Sequence, residues 1–401
     1  MPGGSRPNGP LLVILIAYFV VLLVPNNISE RVELEAMWHQ MGVPAVGPTF
    51  LDLRAVTSSW DCTRLGQDVI HANPCDPYER PFSYPRIWTA PSALGLGEDD
   101  TMWIGALLAL LFLGITIWFV GDDGFWPGII VGLTIISPTV MLAIERGNVD
   151  LLMYALVMLA AVFVARSALL AALPLIAAGI LKLYPVFAFS AIAARRTLRS
   201  ATIVAASLLG LGIYVVSMPD DLRLIVARPN ETGVVHNYGA GVLAEIMKTD
   251  LASISEFFMT PAGGRAVYLA VLAIGVTGAV VLWRRSGREL SATLDPIEPV
   301  RKAAFVMGTS IFCGTYALGH HIDYRLIFLL LTLPGAFRLA SASGPARRVG
   351  IALVGSVFGT SWLSPLPDHP MLEVVNLVIF VILLGCLLAL ATENKAALRA
   401  S

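Results

Sequence analysis

Charge is what this chain has least of. Lys, Arg, Asp and Glu together make up 14% of its 401 residues, against roughly 25% in soluble domains. Hydrophobic residues are 56% and the mean hydropathy is +0.75. A soluble protein of this size could not hide that much apolar surface, so soluble and disordered classes are excluded. The net charge of −1 supplies no global field to recruit a polyanion, and nucleic acid is excluded as a partner. The sequence also lacks an internal repeat, a low-complexity tract and any Walker or dinucleotide glycine fingerprint. Any affinity for phosphate must come from a local cluster.

What remains is a polytopic membrane protein, all-α, with membrane lipids as its surroundings. A spanning helix needs about 20 apolar residues. The candidates are 11–25, 102–120, 125–143, 151–165, 168–181, 185–194, 201–217, 266–283, 303–318, 326–340, 349–363 and 373–391, so about 12 transmembrane or re-entrant helices within one integral membrane domain, 1–401. The first is followed by Pro25, Asn26 and Asn27 rather than a small-x-small cleavage site, and reads as an uncleaved helix with a cytoplasmic N-terminus. Basic clusters follow the even-numbered helices: Arg195, Arg196 and Arg199; Arg284, Arg285, Arg288, Arg301 and Lys302; Arg338, Arg347 and Arg348; Lys395 and Arg399. The positive-inside rule then places both termini in the cytoplasm, with 26–101 and 218–265 as two external loops and 284–302 as a cytoplasmic one. This parity requires residues 168–194 to cross twice, which is too little chain. The pair must be short, broken near Pro185, or re-entrant, and such backbone survives only against a protein cavity.

All six histidines, His39, His71, His236, His320, His321 and His369, fall in the segments expected outside. Cys62 and Cys75 lie in the first external loop with twelve residues between them. An oxidising exterior permits a disulfide there, whereas Cys313 and Cys386 sit in apolar helices as packing residues. The first loop, rich in aromatics and Pro, is expected to be folded on the membrane, with Trp60, Tyr84 and Trp88 at the interface. Within it Asp52 stands between apolar neighbours and before Arg54. It reads either as a cap for a helix over 53–70 or as a carboxylate whose basicity an apolar setting would raise.

Four motifs gather charge at the membrane boundary: Glu145-Arg146-Gly147-Asn148-Val149-Asp150, Leu181-Lys182-Leu183-Tyr184-Pro185, His236-Asn237-Tyr238-Gly239 and Gly319-His320-His321-Ile322-Asp323-Tyr324-Arg325. A lysine in an apolar run costs about 3 kcal/mol on insertion scales and needs an anionic partner. A carboxylate or a ligand phosphate would serve Lys182. The His-His-x-Asp run has no convincing metal-ligand spacing, so a metal is possible but not required, and no cofactor is called for.

The order Leu-Asp-Leu-Arg, Arg-Gly-Asn-Val-Asp, Leu-Lys-Leu-Tyr-Pro and His-x-x-Tyr-Arg, running from about residue 50 to 330, resembles family 87 glycosyltransferases of the C superfamily. The Lys-Leu-Tyr-Pro element is also similar to lipid-linked mannosyltransferases. The resemblance implies transfer of a sugar, typically mannose, from a polyprenyl-phosphate donor to a glycan or glycolipid acceptor on the outer, periplasmic face of the cell membrane, by a single inverting displacement. It implies Asp52 as the base, with Lys182, Arg325 and Arg146 on the donor phosphate. His320 or His321 would orient the base or touch the phosphate, and Glu145, Asp150, Tyr184 and Tyr324 would support the site. The stretch 60–88 is not part of the mannosyltransferase pattern. Among other classes, a secondary transporter or flippase for a lipid or small anionic solute would show repeats and midplane charges, an acyltransferase would carry a mid-membrane His with an Asn or Asp partner, and a scaffold would need no charge cluster at all.

Overall fold

The computed structural model describes residues 9–28, 34–120, 124–227, 236–363 and 370–400. Each of the twelve apolar segments coincides with helical structure, and the protein is an all-α, multi-pass membrane protein. Among the described residues, four helices are long and apolar enough to span by themselves: Glu98–Val120, Leu198–Val216, Pro261–Leu294 and Met371–Thr392. Phe125–Ile135 and Pro138–Glu145 pass the same test only together, as one broken span or a re-entrant pair, and meet at 53°. Pro138 has no N–H to continue the ladder, so the bend falls where a helix restarts on proline. The faces of these helices that meet no protein are themselves apolar. Leu209, Ile213 and Val216 are exposed on one, and Trp103 and Trp118 sit near the two ends of another, the placement of an aromatic belt.

The segment 168–194 is broken, one of the outcomes its length left open. Helix Ala168–Leu181 stops at Lys182, whose backbone is extended at φ −151°. A 3₁₀ turn, Tyr184–Ala188, and a single helical turn, Phe189–Ala193, follow. Pro185 opens the 3₁₀ turn because its missing N–H is not needed there.

Two expectations are corrected, and a third is not tested. The segment 284–302 is mostly not a loop. Helix Pro261–Leu294 continues through the basic residues, and residues 295–298 alone separate it from helix Pro299–Leu318. Arg, Glu and Leu are strong helix formers, so the polar run extends the helix into water rather than ending it. Asp52 does not open a helix over 53–70; the helix is Leu51–Arg64 and its N-cap is Phe50. His369, the sixth histidine, lies outside the described residues.

The chain packs as two compact units, Met1–Pro229 and Asn230–Ser401. In the first, Gly9–Ile28 packs on Phe125–Ile135, and Asp150–Val164 packs on Ala168–Leu181. In the second, Pro261–Leu294 packs on Pro370–Ala400, and Pro299–Leu318 on the 3₁₀ segment Asp323–Thr332. The second unit also holds a two-stranded antiparallel ribbon, Asn237 opposite Ile322 and Tyr238 opposite His321.

Candidate active site

The stretch 51–100 is folded. Val56, Trp60, Cys62, Val69, Ile70 and Phe82 form one buried cluster that also takes in Val149, so the stretch is fastened to the 145–150 turn by apolar contact. Cys62 and Cys75 are joined by a disulfide with Cα atoms 5.8 Å apart, across a separation of 13 residues. Closing a loop of that length contributes about 3 kcal/mol on the chain-entropy model. Cys75→Ser is therefore expected to lower the unfolding free energy by about 3 kcal/mol, read as a fall in melting temperature that dithiothreitol reproduces in the wild type. Two free thiols at 62 and 75 in freshly prepared membranes would reject the bridge.

Trp60 is not an interfacial residue. It is buried, and its indole N–H donates to the Trp88 carbonyl at 2.5 Å. The Trp88 indole in turn donates to the Leu181 carbonyl at 2.9 Å. This relay ties helix Leu51–Arg64 to the end of helix Ala168–Leu181, next to Lys182. A buried indole N–H needs a partner, and here both partners are backbone carbonyls that a stopped helix or a turn leaves available.

Two helix ends meet at Asp52. The N–H groups of Phe50, Asp52 and Leu53 are free of intrahelical partners, as at any helix start. Phe50 donates to the Glu145 carbonyl at 3.1 Å, and Asp52 and Leu53 donate to the Arg146 carbonyl at 3.1 and 3.2 Å. The C-terminal end of Pro138–Glu145 thus meets the N-terminal end of Leu51–Arg64, with opposite dipole ends in contact. Gly147 makes the approach possible. Its φ is +57°, and a Cβ there would lie 3.0 Å from Phe50 Cβ and 3.1 Å from Leu53 Cβ.

The Asp52 side chain turns away from its own helix. Asn148 Nδ2 donates to Asp52 Oδ2 at 2.7 Å, while Asn148 Oδ1 accepts from the Asp150 N–H at 2.9 Å. One fully buried amide therefore fixes both carboxylate-bearing residues. Asp150, itself fully buried, pairs with Lys182 Nζ at 2.6 Å. The Lys182 ammonium also lies 5.4 Å from the Tyr84 ring centroid and 6.0 Å from that of Tyr184, within cation–π range. Arg146 sits on the same turn but faces the other way, its Nε 3.3 Å from buried Glu145 and its Nη2 donating to the Pro44 carbonyl at 3.2 Å.

On the loop side of Asp52 stands Arg80. It forks onto Asp76, Nε to Oδ1 at 3.0 Å and Nη2 to Oδ2 at 2.8 Å, and it also donates to the Leu51 carbonyl. Its Nη1 lies 3.9 Å from Asp52 Oδ1. Burial works against the Arg80 charge. The Asp76 hydrogen bonds and charge, with Asp52 and Tyr84 behind them, more than offset this and hold the guanidinium above its ordinary range.

The second unit carries the remaining sequence candidates. His321 Nδ1 is hydrogen-bonded to Arg325 Nη1, and the Asp323 N–H donates to the His236 carbonyl at 3.0 Å. His321, not His320, is the imidazole at Arg325; His320 packs beside Gly241. Tyr238 donates to or accepts from Thr315 at 2.8 Å and stacks on Phe312. Gly239, at φ +130°, has no room for a side chain, since a Cβ would meet the Gly319 carbonyl oxygen at 1.8 Å. Tyr324 is buried.

Sequence reasoning did not single out Asn148, Arg80 or Asp76 as site residues. It also passed over Glu373, a buried acid in the last apolar helix that accepts from the Gly239 N–H at 3.1 Å and from Asn376 at 2.9 Å. The signals were present. Asp76 and Arg80 are four apart beside a paired cysteine, and Glu373 is an acid inside a spanning segment. Among the described residues, no group of three or more His, Cys, Asp or Glu side chains could hold a metal ion.

No protein-family model matches this chain, and no curated protein matches it either. Among solved structures, ArnT from Cupriavidus metallidurans in the apo state is similar, at 11% identity and a TM-score of 0.37, covering 95% of this chain and 76% of that one. That likeness is too distant to assign a family.

Proposed function

We propose that this membrane protein is a glycosyltransferase of the C-superfamily type. It moves a sugar, mannose in the simplest case, from a polyprenyl-phosphate donor to a glycan or glycolipid acceptor by inverting displacement on the external face. The observation that carries the reading is the Asp52–Asn148–Asp150–Lys182 chain of contacts. It holds a partly accessible carboxylate on helix Leu51–Arg64 and an ammonium at the break after helix Ala168–Leu181 in fixed relation, through the 145–150 turn. Such a transfer needs one base to take the acceptor's proton and cations for the departing phosphate, all in a site with little water. Asp52 is the base. Lys182 and Arg146 are the phosphate cations of the first unit. In the second unit, taken by itself, Arg325 with His321 is a phosphate-contact candidate by its motif alone. Glu145, Asp150, Tyr184 and Tyr324 support these groups. No cofactor is needed, because the lipid phosphate is already an activated leaving group.

The direct test is incubation of membranes expressing the chain with radiolabelled polyprenyl-phosphate mannose. A labelled glycan or glycolipid that is absent from membranes lacking the chain is expected. A failure to consume this donor, and its glucose and arabinose counterparts, would reject the activity.

The external placement of the site is tested separately. Glu289 is an exposed residue near the end of helix Pro261–Leu294. The native cysteines do not interfere, since two are paired and two are buried. A Glu289→Cys variant is expected to react with an impermeant maleimide only after the cells are opened. Reaction in intact cells would invert the topology and put the site on the cytoplasmic face.

A further inference from the structure

We infer that Asp52 and Arg80 form a two-point receptor for adjacent hydroxyls of a sugar acceptor, Asp52 taking the proton of the reacting hydroxyl and Arg80 holding the hydroxyl beside it. The inference rests on the transferase reading above and adds to it the feature of the acceptor that is read, an adjacent hydroxyl pair, and the residue that reads it.

Each oxygen of Asp52 has a distinct position. Oδ2 accepts from Asn148, and Oδ1 faces Arg80. The Arg80 donors divide in the same way. Nε and Nη2 are spent on Asp76 and the Leu51 carbonyl, which leaves Nη1 directed at Oδ1. Their separation of 3.9 Å is beyond a hydrogen bond, so the two atoms face one another without bonding. The side chains are 19% and 28% exposed and reachable by a ligand. Neighbouring gauche hydroxyls on a pyranose stand closer together than this gap, so one can donate to Oδ1 while the other accepts from Nη1. A phosphate does not fit the pair, because the Asp52 carboxylate would repel it. A neutral diol, donor to one group and acceptor from the other, does.

The arm that carries Nη1 is rigid. The Asp76 side chain is fully buried and accepts from the Tyr78 and Arg80 N–H groups as well as from the guanidinium. It directly follows Cys75, whose disulfide anchors it to helix Leu51–Arg64. A bidentate fork of this kind is a geometry that lysine cannot copy. In the reaction the acceptor O–H proton passes to Asp52 Oδ1. The acceptor oxygen bonds to the anomeric carbon as the bond from that carbon to the phosphate oxygen breaks, and the electron pair leaves with the lipid phosphate. Arg80 neither gives nor takes a proton.

The test uses the full chain in liposomes, with radiolabelled polyprenyl-phosphate mannose as donor. Octyl α-D-mannopyranoside and its four monodeoxy forms serve as acceptors. For the wild type, one deoxy form should lose about 10–100-fold in kcat/KM beyond loss of the reacting hydroxyl itself, the size of a hydrogen bond to a charged group. Arg80→Gln should raise the acceptor KM by a similar factor, hold the donor KM within about twofold, and abolish that deoxy penalty. Arg80→Lys gives the same comparison if the glutamine variant does not accumulate. Equal deoxy penalties in wild type and variant overturn the receptor and leave the transferase standing. Donor consumed by water with no octyl mannoside labelled also overturns it. No donor consumption by the wild type removes the transferase reading, and the receptor with it.

Discussion

Asp52→Asn is expected to lower sugar transfer by about 10²–10⁴-fold, the usual contribution of a positioned acid–base group, without loss of the folded protein. Asparagine keeps the shape of the side chain, and its amide oxygen can still accept from Asn148 as Asp52 Oδ2 does at 2.7 Å. The backbone contacts to the Glu145 and Arg146 carbonyls do not involve the side chain. What is lost is a lone pair basic enough to take a proton. The measurement is initial-rate transfer from labelled donor, with melting temperature and donor binding followed in parallel. Three other carboxylates belong in the same experiment. Glu145 is buried against Arg146, Asp150 is buried against Lys182, and Asp323 is buried in the second unit. Near-normal turnover in Asp52→Asn with collapse in one of the other three moves the base to that residue. Normal turnover in all four removes general-base catalysis from this protein.

The helices were legible because helical hydrophobicity is a local property. Every apolar run coincides with helical structure, although 125–143 is two helices and 185–194 a 3₁₀ turn followed by a single helical turn, and length alone showed that 168–194 could not hold two full crossings. The end of helix Pro261–Leu294 was not legible, because apolarity marks where a helix is buried in lipid and not where its hydrogen bonds stop. The site was half legible. Lys182 announces itself as a cation in an apolar run, and its need for an anion is general. That the anion is Asp150, 32 residues earlier, depends on how two helices pack. Asn148 reads as half of a turn signal, and its bonds to both Asp52 and Asp150 appear only once Gly147 has brought two helix ends together. Trp60 was misread because an indole in a Pro-rich loop suits an interface as well as a small core. Its burial follows from the Cys62–Cys75 loop closing around it.

Lys182→Ala is expected to destabilise the protein by about 3–5 kcal/mol, the cost of removing one partner from a buried ion pair. The Lys182 side chain is 14% exposed and that of Asp150 is fully buried, with 2.6 Å between Nζ and Oδ1. Deleting the ammonium leaves the Asp150 carboxylate buried with its main counter-charge gone. The Asn148–Asp150 contact, and through it the Asp52 contact, should loosen as well. A loss of activity in this variant alone therefore cannot be credited to the phosphate. The double variant Lys182→Met with Asp150→Leu separates the two effects. Replacing a buried pair by apolar side chains of similar volume is often neutral or stabilising, so thermal unfolding in detergent should return close to wild type. If Lys182 also meets the donor phosphate, the restored protein keeps a raised donor KM, by about 10-fold or more for a lost charged contact, while its acceptor KM changes little. Recovery of both stability and donor KM would make Lys182 a purely structural cation. The phosphate would then fall to Arg146 and to the Arg325–His321 pair, and Arg325→Lys, which loses the planar fork, becomes the next variant to measure.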